Sequence, residues 1–196
     1  MSGNSGSEAS GDAAGWGAIS LSGDMFGQGS VFTGGELSGT VFGRYTIEER
    51  LERSGMGEVY KAKDEQQQRS VALKVYTEAQ LVPAECRQAF LRRATDLARI
   101  SHPRIANLLD SGEEDGVLYC VSEFVDGLPI DRYAQKRGLN RSGLVDLLAN
   151  VCEGLQVAHQ RGCWHGAIKP SNILVDSAGL PNVMDFGLTA VVAAGL

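Results

Sequence analysis

Hydrophobic period changes along this chain in an order that few folds accommodate. Residues 45–51 alternate as a strand does, and residues 57–62 and 71–76 read as two further strands. Residues 84–99 instead carry Phe90, Ala94, Leu97 and Ala98 at helical spacing. Ser101-His102-Pro103 ends that helix, because proline cannot continue it. Residues 105–109 and 117–125 read as two more strands, separated by a polar turn at 111–116. After Asp126-Gly127 the pattern becomes helical. Residues 141–161 form one long amphipathic stretch with Leu144, Leu147, Leu148, Val151, Leu155 and Ala158 on one side, and Gly162 follows as a C-cap. A short strand pair comes next. The expected class is α+β: a five-stranded lobe with one helix over residues 43–126, then the first part of a mainly helical lobe over 127–196.

Residues 1–42 differ from the rest. Eleven of them are glycine, none is basic, and Glu8, Asp12, Asp24 and Glu36 make the segment acidic. Ordering such a chain costs much entropy and buries little, so a flexible tail is expected. The apolar pairs Met25-Phe26, Val31-Phe32 and Val41-Phe42 leave open a second use, as short strands added to a partner's sheet edge. A net charge of −6 disfavours a nucleic-acid partner. Cys86, Cys120, Cys152 and Cys163 lack C-x-x-C spacing and read as reduced thiols. The sequence has no run of 18 apolar residues and no Lys or Arg before Arg44, so neither a membrane span nor a basic leader is expected, and residence is expected to be cytoplasmic.

Chemistry concentrates late in the chain. His165-Gly166-Ala167-Ile168-Lys169-Pro170-Ser171-Asn172-Ile173-Leu174 resembles the catalytic loop of bacterial-type serine/threonine protein kinases, which reads H-R-D-x-K-P-x-N-[IL]-L. Thirteen residues after Asn172 comes Asp185-Phe186-Gly187. Upstream, Val71-Ala72-Leu73-Lys74 resembles the family's V-A-I-K, and residues 51–60 resemble its glycine-rich loop. The resemblance runs from about Arg44 to Leu188, in the family's motif order.

That resemblance implies ATP and Mg²⁺ as ligands. Lys74 would contact the α and β phosphates, Lys169 the γ phosphate, and Asn172 and Asp185 would hold the metal. Ser54, Gly55 and Gly57 fall in the phosphate loop. Val59, Ala72 and Leu174 would sandwich the adenine ring, with Ser122 at the gatekeeper position and the backbone of Glu123 and Val125 along its edge. His165, Phe186 and Leu97 match the regulatory spine.

Departures from the family pattern are equally specific. Ala167 stands where the family has the Asp that accepts the substrate hydroxyl's proton, and alanine has no atom able to do so. Arg93 stands where a helix glutamate would pair with Lys74; Asp96 and Glu85 are the nearest substitutes. Glu52 and Ser54 replace two loop glycines, and Glu52 brings negative charge towards a polyanion. The sequence runs nine residues beyond Gly187, so the second lobe is expected to be incomplete and the 141–161 face to be partly exposed to a protein partner. The implied function is an ATP-binding pseudokinase. Two alternatives stay open: a residual kinase, for which Asp176 is the nearest carboxylate, and a nucleotide-free interaction domain.

Overall fold

The computed structural model describes residues 39–54, 57–77, 82–114 and 116–195. The expected tail up to residue 38, with its Met25-Phe26 and Val31-Phe32 pairs, lies outside the described residues, as does Gly55 of the phosphate loop. Strands β1 (Val41–Phe42), β2 (Tyr45–Ser54), β3 (Gly57–Asp64), β4 (Arg69–Tyr76), β5 (Leu108–Glu114) and β6 (Val117–Glu123) form one antiparallel sheet in the order β1-β2-β3-β4-β6-β5.

The sheet begins earlier than composition suggests. Val41 and Phe42 pair with Thr46 and Tyr45 of their own chain, not with a partner's edge. Phe42 is 1% exposed and meets the Tyr119 ring edge-on at 5.2 Å. Burial of this large aromatic offsets part of the entropy lost in ordering the neighbouring glycines. Strand β5 also differs from expectation. It runs through Ser111-Gly112-Glu113-Glu114, which read as a turn, because edge pairing with β6 accepts polar residues once the ladder is made. Ile105 instead makes an isolated parallel bridge to Val183.

Strand β2 carries two register shifts, between Ile47 and Glu49 and between Arg50 and Glu52. Ile47 pairs with Ala62 and Arg50 with Tyr60 on one face, while Glu49 pairs with Lys61 and Glu52 with Val59 on the other. Bulges re-aim side chains in this way. At the head of β3, Gly57 has φ +148°, and a Cβ there would lie 2.0 Å from the Val75 carbonyl oxygen, so only glycine fits. The β3–β4 turn is held by Asp64, whose Oδ1 accepts the Gln66 and Gln67 amides at 2.9 and 3.1 Å.

Helix α1 (Ala84–Leu97) buries Phe90, Ala94 and Leu97 against the sheet, and Phe90 meets Tyr76 edge-on at 5.3 Å. Beyond the sheet come β7 (Gly127–Pro129), α2 (Ile130–Arg137), α3 (Arg141–Gln160), β8 (Ile173–Asp176), β9 (Pro181–Val183) and α4 (Leu188–Ala193). Strands β7, β8 and β9 form a small sheet in that order. Asn140 caps α3, its side chain accepting the Gly143 amide at 2.9 Å, and Gly162 at φ +71° follows its end. Leu147, Val151, Gly154 and Ala158 form the buried face of α3. Leu144 and Leu148 do not join it; they are exposed together with Val145 and Trp164, which are 60% and 63% accessible.

One hydrophobic cluster runs from Tyr76 and Phe90 through Ile105 to Val151, Val183, Phe186 and Val192. Two backbone bonds cross it: Val183 N–H to Arg104 O at 2.8 Å and Ala106 N–H to Val183 O at 3.0 Å. No described helix is long and apolar enough to cross a membrane. If β1 belongs to the core, Phe42→Ala should cost about 3 kcal/mol in urea unfolding, whereas truncation of a solvated tail residue changes little.

Candidate functional site

Strand β4 places Lys74 between Val59 of β3 and Cys120 of β6. Its ammonium lies 2.7 Å from Asp185 Oδ2 and 2.7 Å from Thr189 Oγ1. Side-chain exposures of 13% for Lys74 and 21% for Asp185 make this a half-buried ion pair rather than a surface one. Thr189 also donates towards the Asp185 carboxylate, with its hydroxyl 3.1 and 3.2 Å from the two oxygens. Asp185 adopts φ +62°, a left-handed conformation that Asp tolerates better than most residues, and Gly187 follows at φ +62°. A Cβ on Gly187 would sit 3.0 Å from the Trp164 carbonyl oxygen.

Around this pair is a cavity of about 100 Å³. Glu52, Val59, Ala72, Lys74, Ser122, Asn172 and Asp185 line it, and Leu97, Ile105, Cys120 and Phe186 close its apolar side. Burial pushes the Cys120 thiol up to about 11, so it contributes as a neutral apolar wall. Val59, Ala72, Lys74, Ser122, Asn172 and Asp185, named by the sequence and far apart along the chain, therefore meet here, together with Glu52 and the spine residues Leu97 and Phe186.

The loop before β8 is organised by His165, which is 1% exposed. Its Nε2 lies 2.7 Å from the Met184 carbonyl oxygen and its Nδ1 accepts the Ala167 amide at 3.2 Å. The neutral Nε2–H tautomer satisfies both contacts. The imidazole also lies 4.7 Å from the Phe186 ring, as the spine assignment requires. Ala167 O accepts Asn172 Nδ2 at 2.9 Å, which orients the amide and leaves Oδ1 as its acceptor. A carboxylate and an amide oxygen in the lining of one cavity are the kind of hard donors that suit Mg²⁺.

The Protein kinase domain family matches residues 45–195. The chain belongs to the protein kinase family. Bacterial serine/threonine-protein kinases are among its curated relatives. It is 32% identical over 155 residues to the serine/threonine-protein kinase PrkC of Bacillus subtilis (strain 168), covering 79% of this chain and 24% of that protein. It is 34% identical over 161 residues to PknA of Mycobacterium tuberculosis (strain ATCC 25618 / H37Rv), covering 79% of this chain and 37% of that protein. The solved kinase domain of M. tuberculosis PknI superposes with a TM-score of 0.68 at 32% identity, covering 77% of this chain and 61% of that one. The chain thus spans less than two thirds of each of these proteins.

Other kinase positions are not gathered into this cavity. Leu174 pairs with Pro129 and Asn182 in the small sheet and is not among the lining residues. Lys169 is exposed and precedes the short 3-10 turn Pro170–Asn172. Glu123 and Val125 line a separate, more polar hollow with Arg69, Asp126 and Asp176. The Glu123 amide donates to Asn107 O at 3.0 Å, and its carboxylate accepts the Asn107 amide and side chain. Asp176 is occupied as a turn former, its Oδ1 accepting the Ala178 and Leu180 amides at 2.9 Å each.

The helix position that kinases give to glutamate has a different task here. Arg93 donates to Trp164 O at 2.7 Å and to Gly162 O at 3.4 Å, tying α1 to the catalytic-loop backbone. Lys74 pairs with Asp185, and neither Asp96 nor Glu85 replaces the missing acid. Thr189, which does contact Lys74, was not legible beforehand. A threonine in Gly-Leu-Thr-Ala-Val-Val carries no signal until the fold brings it to β4.

Burial is the largest influence on His165 and lowers its pKa below the ordinary histidine value, against the Met184 carbonyl and Asp185, which favour the cation. Because the native value is depressed, the unfolded chain binds the extra proton first. The associated stability is complete above about pH 6.5 and is lost as pH falls through that value towards the native one. Urea unfolding at pH 7.5 and 5.5 should show this loss. His165→Leu, less stable at neutral pH, should show a flatter dependence.

Proposed function

We propose that the chain is a pseudokinase: a Mg-nucleotide-binding regulatory or scaffold module that does not transfer phosphate to protein. Ala167 carries this reading. The loop around it keeps the His165 and Asn172 contacts of an ordered catalytic loop, yet presents a methyl group where the proton acceptor belongs. Losing a positioned general base costs about 10²–10⁴-fold in rate. Asp176, the nearest alternative carboxylate in sequence, is committed to a turn. Retention of Lys74, Asn172 and Asp185 on one cavity supports nucleotide binding. When bound, Mg²⁺ would neutralise phosphate charge; Asp185 and Asn172 are the residues that would hold it, and Lys74 the one that would orient the phosphates.

A protein partner is part of the proposal. Leu144, Val145, Leu148 and Trp164 are large apolar side chains left exposed, which supports an interaction surface on the second lobe. A nucleotide-free interaction domain is the second reading, favoured by one observation: Glu52 lines the same cavity as Lys74, and its negative charge opposes a polyanion.

A thermal melt separates the two. A ligand that binds only the native state stabilises by about 2.7 kcal/mol at one hundred times its Kd, which is roughly 5–10 °C for a domain of this size. Mg-ATP should raise the melting temperature of the wild-type chain and leave Lys74→Met unmoved, with no label reaching a protein substrate from γ-labelled ATP. An unmoved wild-type melt selects the nucleotide-free reading. Transfer that disappears in Lys74→Met refutes the pseudokinase.

A further inference from the structure

Lys74 has lost the partner that a kinase helix supplies, yet it is not loose. Arg93 occupies the helix position and points to the Trp164 and Gly162 carbonyls. A long flexible ammonium with a single carboxylate partner samples several geometries, and a second fixed acceptor narrows them. That second acceptor is on α4. Thr189 Oγ1 lies 2.7 Å from Lys74 Nζ and 3.1 Å from Asp185 Oδ1.

Hydrogen-bond polarity makes this contact specific. The ammonium can only donate and the carboxylate can only accept. A hydroxyl accepts from the first and donates to the second at once, which neither a methyl nor a second carboxylate can do. Position is equally constrained. Leu188 and Val192, buried on the same short helix, fix α4 against the core, and the Val191 amide donates to the Gly187 carbonyl oxygen at 3.4 Å to close its first turn. Threonine is β-branched, so its χ1 has few open wells. Its hydroxyl is thus held at the ion pair by packing rather than by chance contact.

We infer that Thr189 is a positioning residue of the nucleotide site, its hydroxyl standing in for the absent helix carboxylate as the second partner of Lys74 while orienting the Asp185 carboxylate. The inference rests on the nucleotide-binding reading above. It moves the anchor of Lys74 from α1 to the segment after Asp185-Phe186-Gly187. Lysine, metal-binding carboxylate and hydroxyl then form one unit, and the order of α4 governs nucleotide affinity.

Two measurements on the full chain test it, with wild type, Thr189→Val and Thr189→Ser. Amine labelling without nucleotide, read by mass spectrometry as the ratio of Lys74 to the exposed Lys136, reports whether the hydroxyl holds Lys74. Equilibrium titration with Mg-ATP reports the consequence. Thr189→Val should raise the labelling ratio and weaken Mg-ATP about 10-fold, the size expected for a lost hydrogen bond to a charged group. Thr189→Ser should stay within about twofold of wild type in both, because it keeps the hydroxyl. An unchanged labelling ratio in Thr189→Val overturns the inference, as does a raised ratio with unchanged Mg-ATP affinity. Equal losses in Val and Ser variants also overturn it, since a packing defect would then explain both. Absence of any Mg-ATP binding by the wild-type chain overturns the functional reading, and with it the nucleotide role of Thr189. The labelling ratio, read without nucleotide, tells that failure apart from failure of the hydroxyl clamp.

Discussion

Everything at the site hangs from the backbone of residues 183–187. Val183 is bonded to Arg104 O and Ala106 N–H on one side, and Met184 N–H to Asn172 O at 2.9 Å on another. His165 reaches the Met184 carbonyl from a third. These bonds are buried among the apolar residues that join the large sheet to the helical part, where an unpaired amide or carbonyl would be costly. With the strand end fixed, Asp185 and Phe186 have little freedom. The carboxylate goes to Lys74 and the ring to His165.

Charge reversal on α1 changes how that arrangement is held, not whether it is held. A glutamate there would bind Lys74 directly. Arg93 instead binds loop carbonyls, and Lys74 is balanced by Asp185 across the cavity. A half-buried pair needs further hydrogen bonds to offset the water it loses. The Thr189 hydroxyl provides one to each member. Glu52 then adds negative charge to the same cavity, brought to the Val59 face by the two register shifts of β2. With Glu52 and Asp185 against Lys74, the lining is biased against dense negative charge.

Much of this was legible beforehand, for identifiable reasons. Four of the six sheet strands, α1 and α3 follow hydrophobic period closely, because each buries apolar side chains such as Ile47, Tyr60, Leu73, Val121, Phe90 and Val151. Motif order placed Lys74, Asn172 and Asp185 together before any contact was seen. What failed to read through was governed by long-range pairing. Phe42 looked like part of a glycine-rich tail because its partner, Tyr119, is remote in sequence. Ser111-Gly112-Glu113-Glu114 looked like a turn because edge strands need no apolar alternation. Leu144 and Leu148 fell on the predicted apolar side of α3 but stay exposed, because the side chains that would cover them are not set by the period of α3 itself.

By itself, then, the sequence determined the fold class, the family and the loss at Ala167, since motif spacing and a missing carboxylate are properties of local chain. Tertiary structure decided the partners. Which carbonyls Arg93 would meet, which turn would consume Asp176, and which hydroxyl would stand beside Lys74 all depend on contacts between segments far apart along the chain. Side-chain hydrogen bonds are short-ranged and directional, so no reading of composition or period could assign them until the backbone had placed the donors and acceptors.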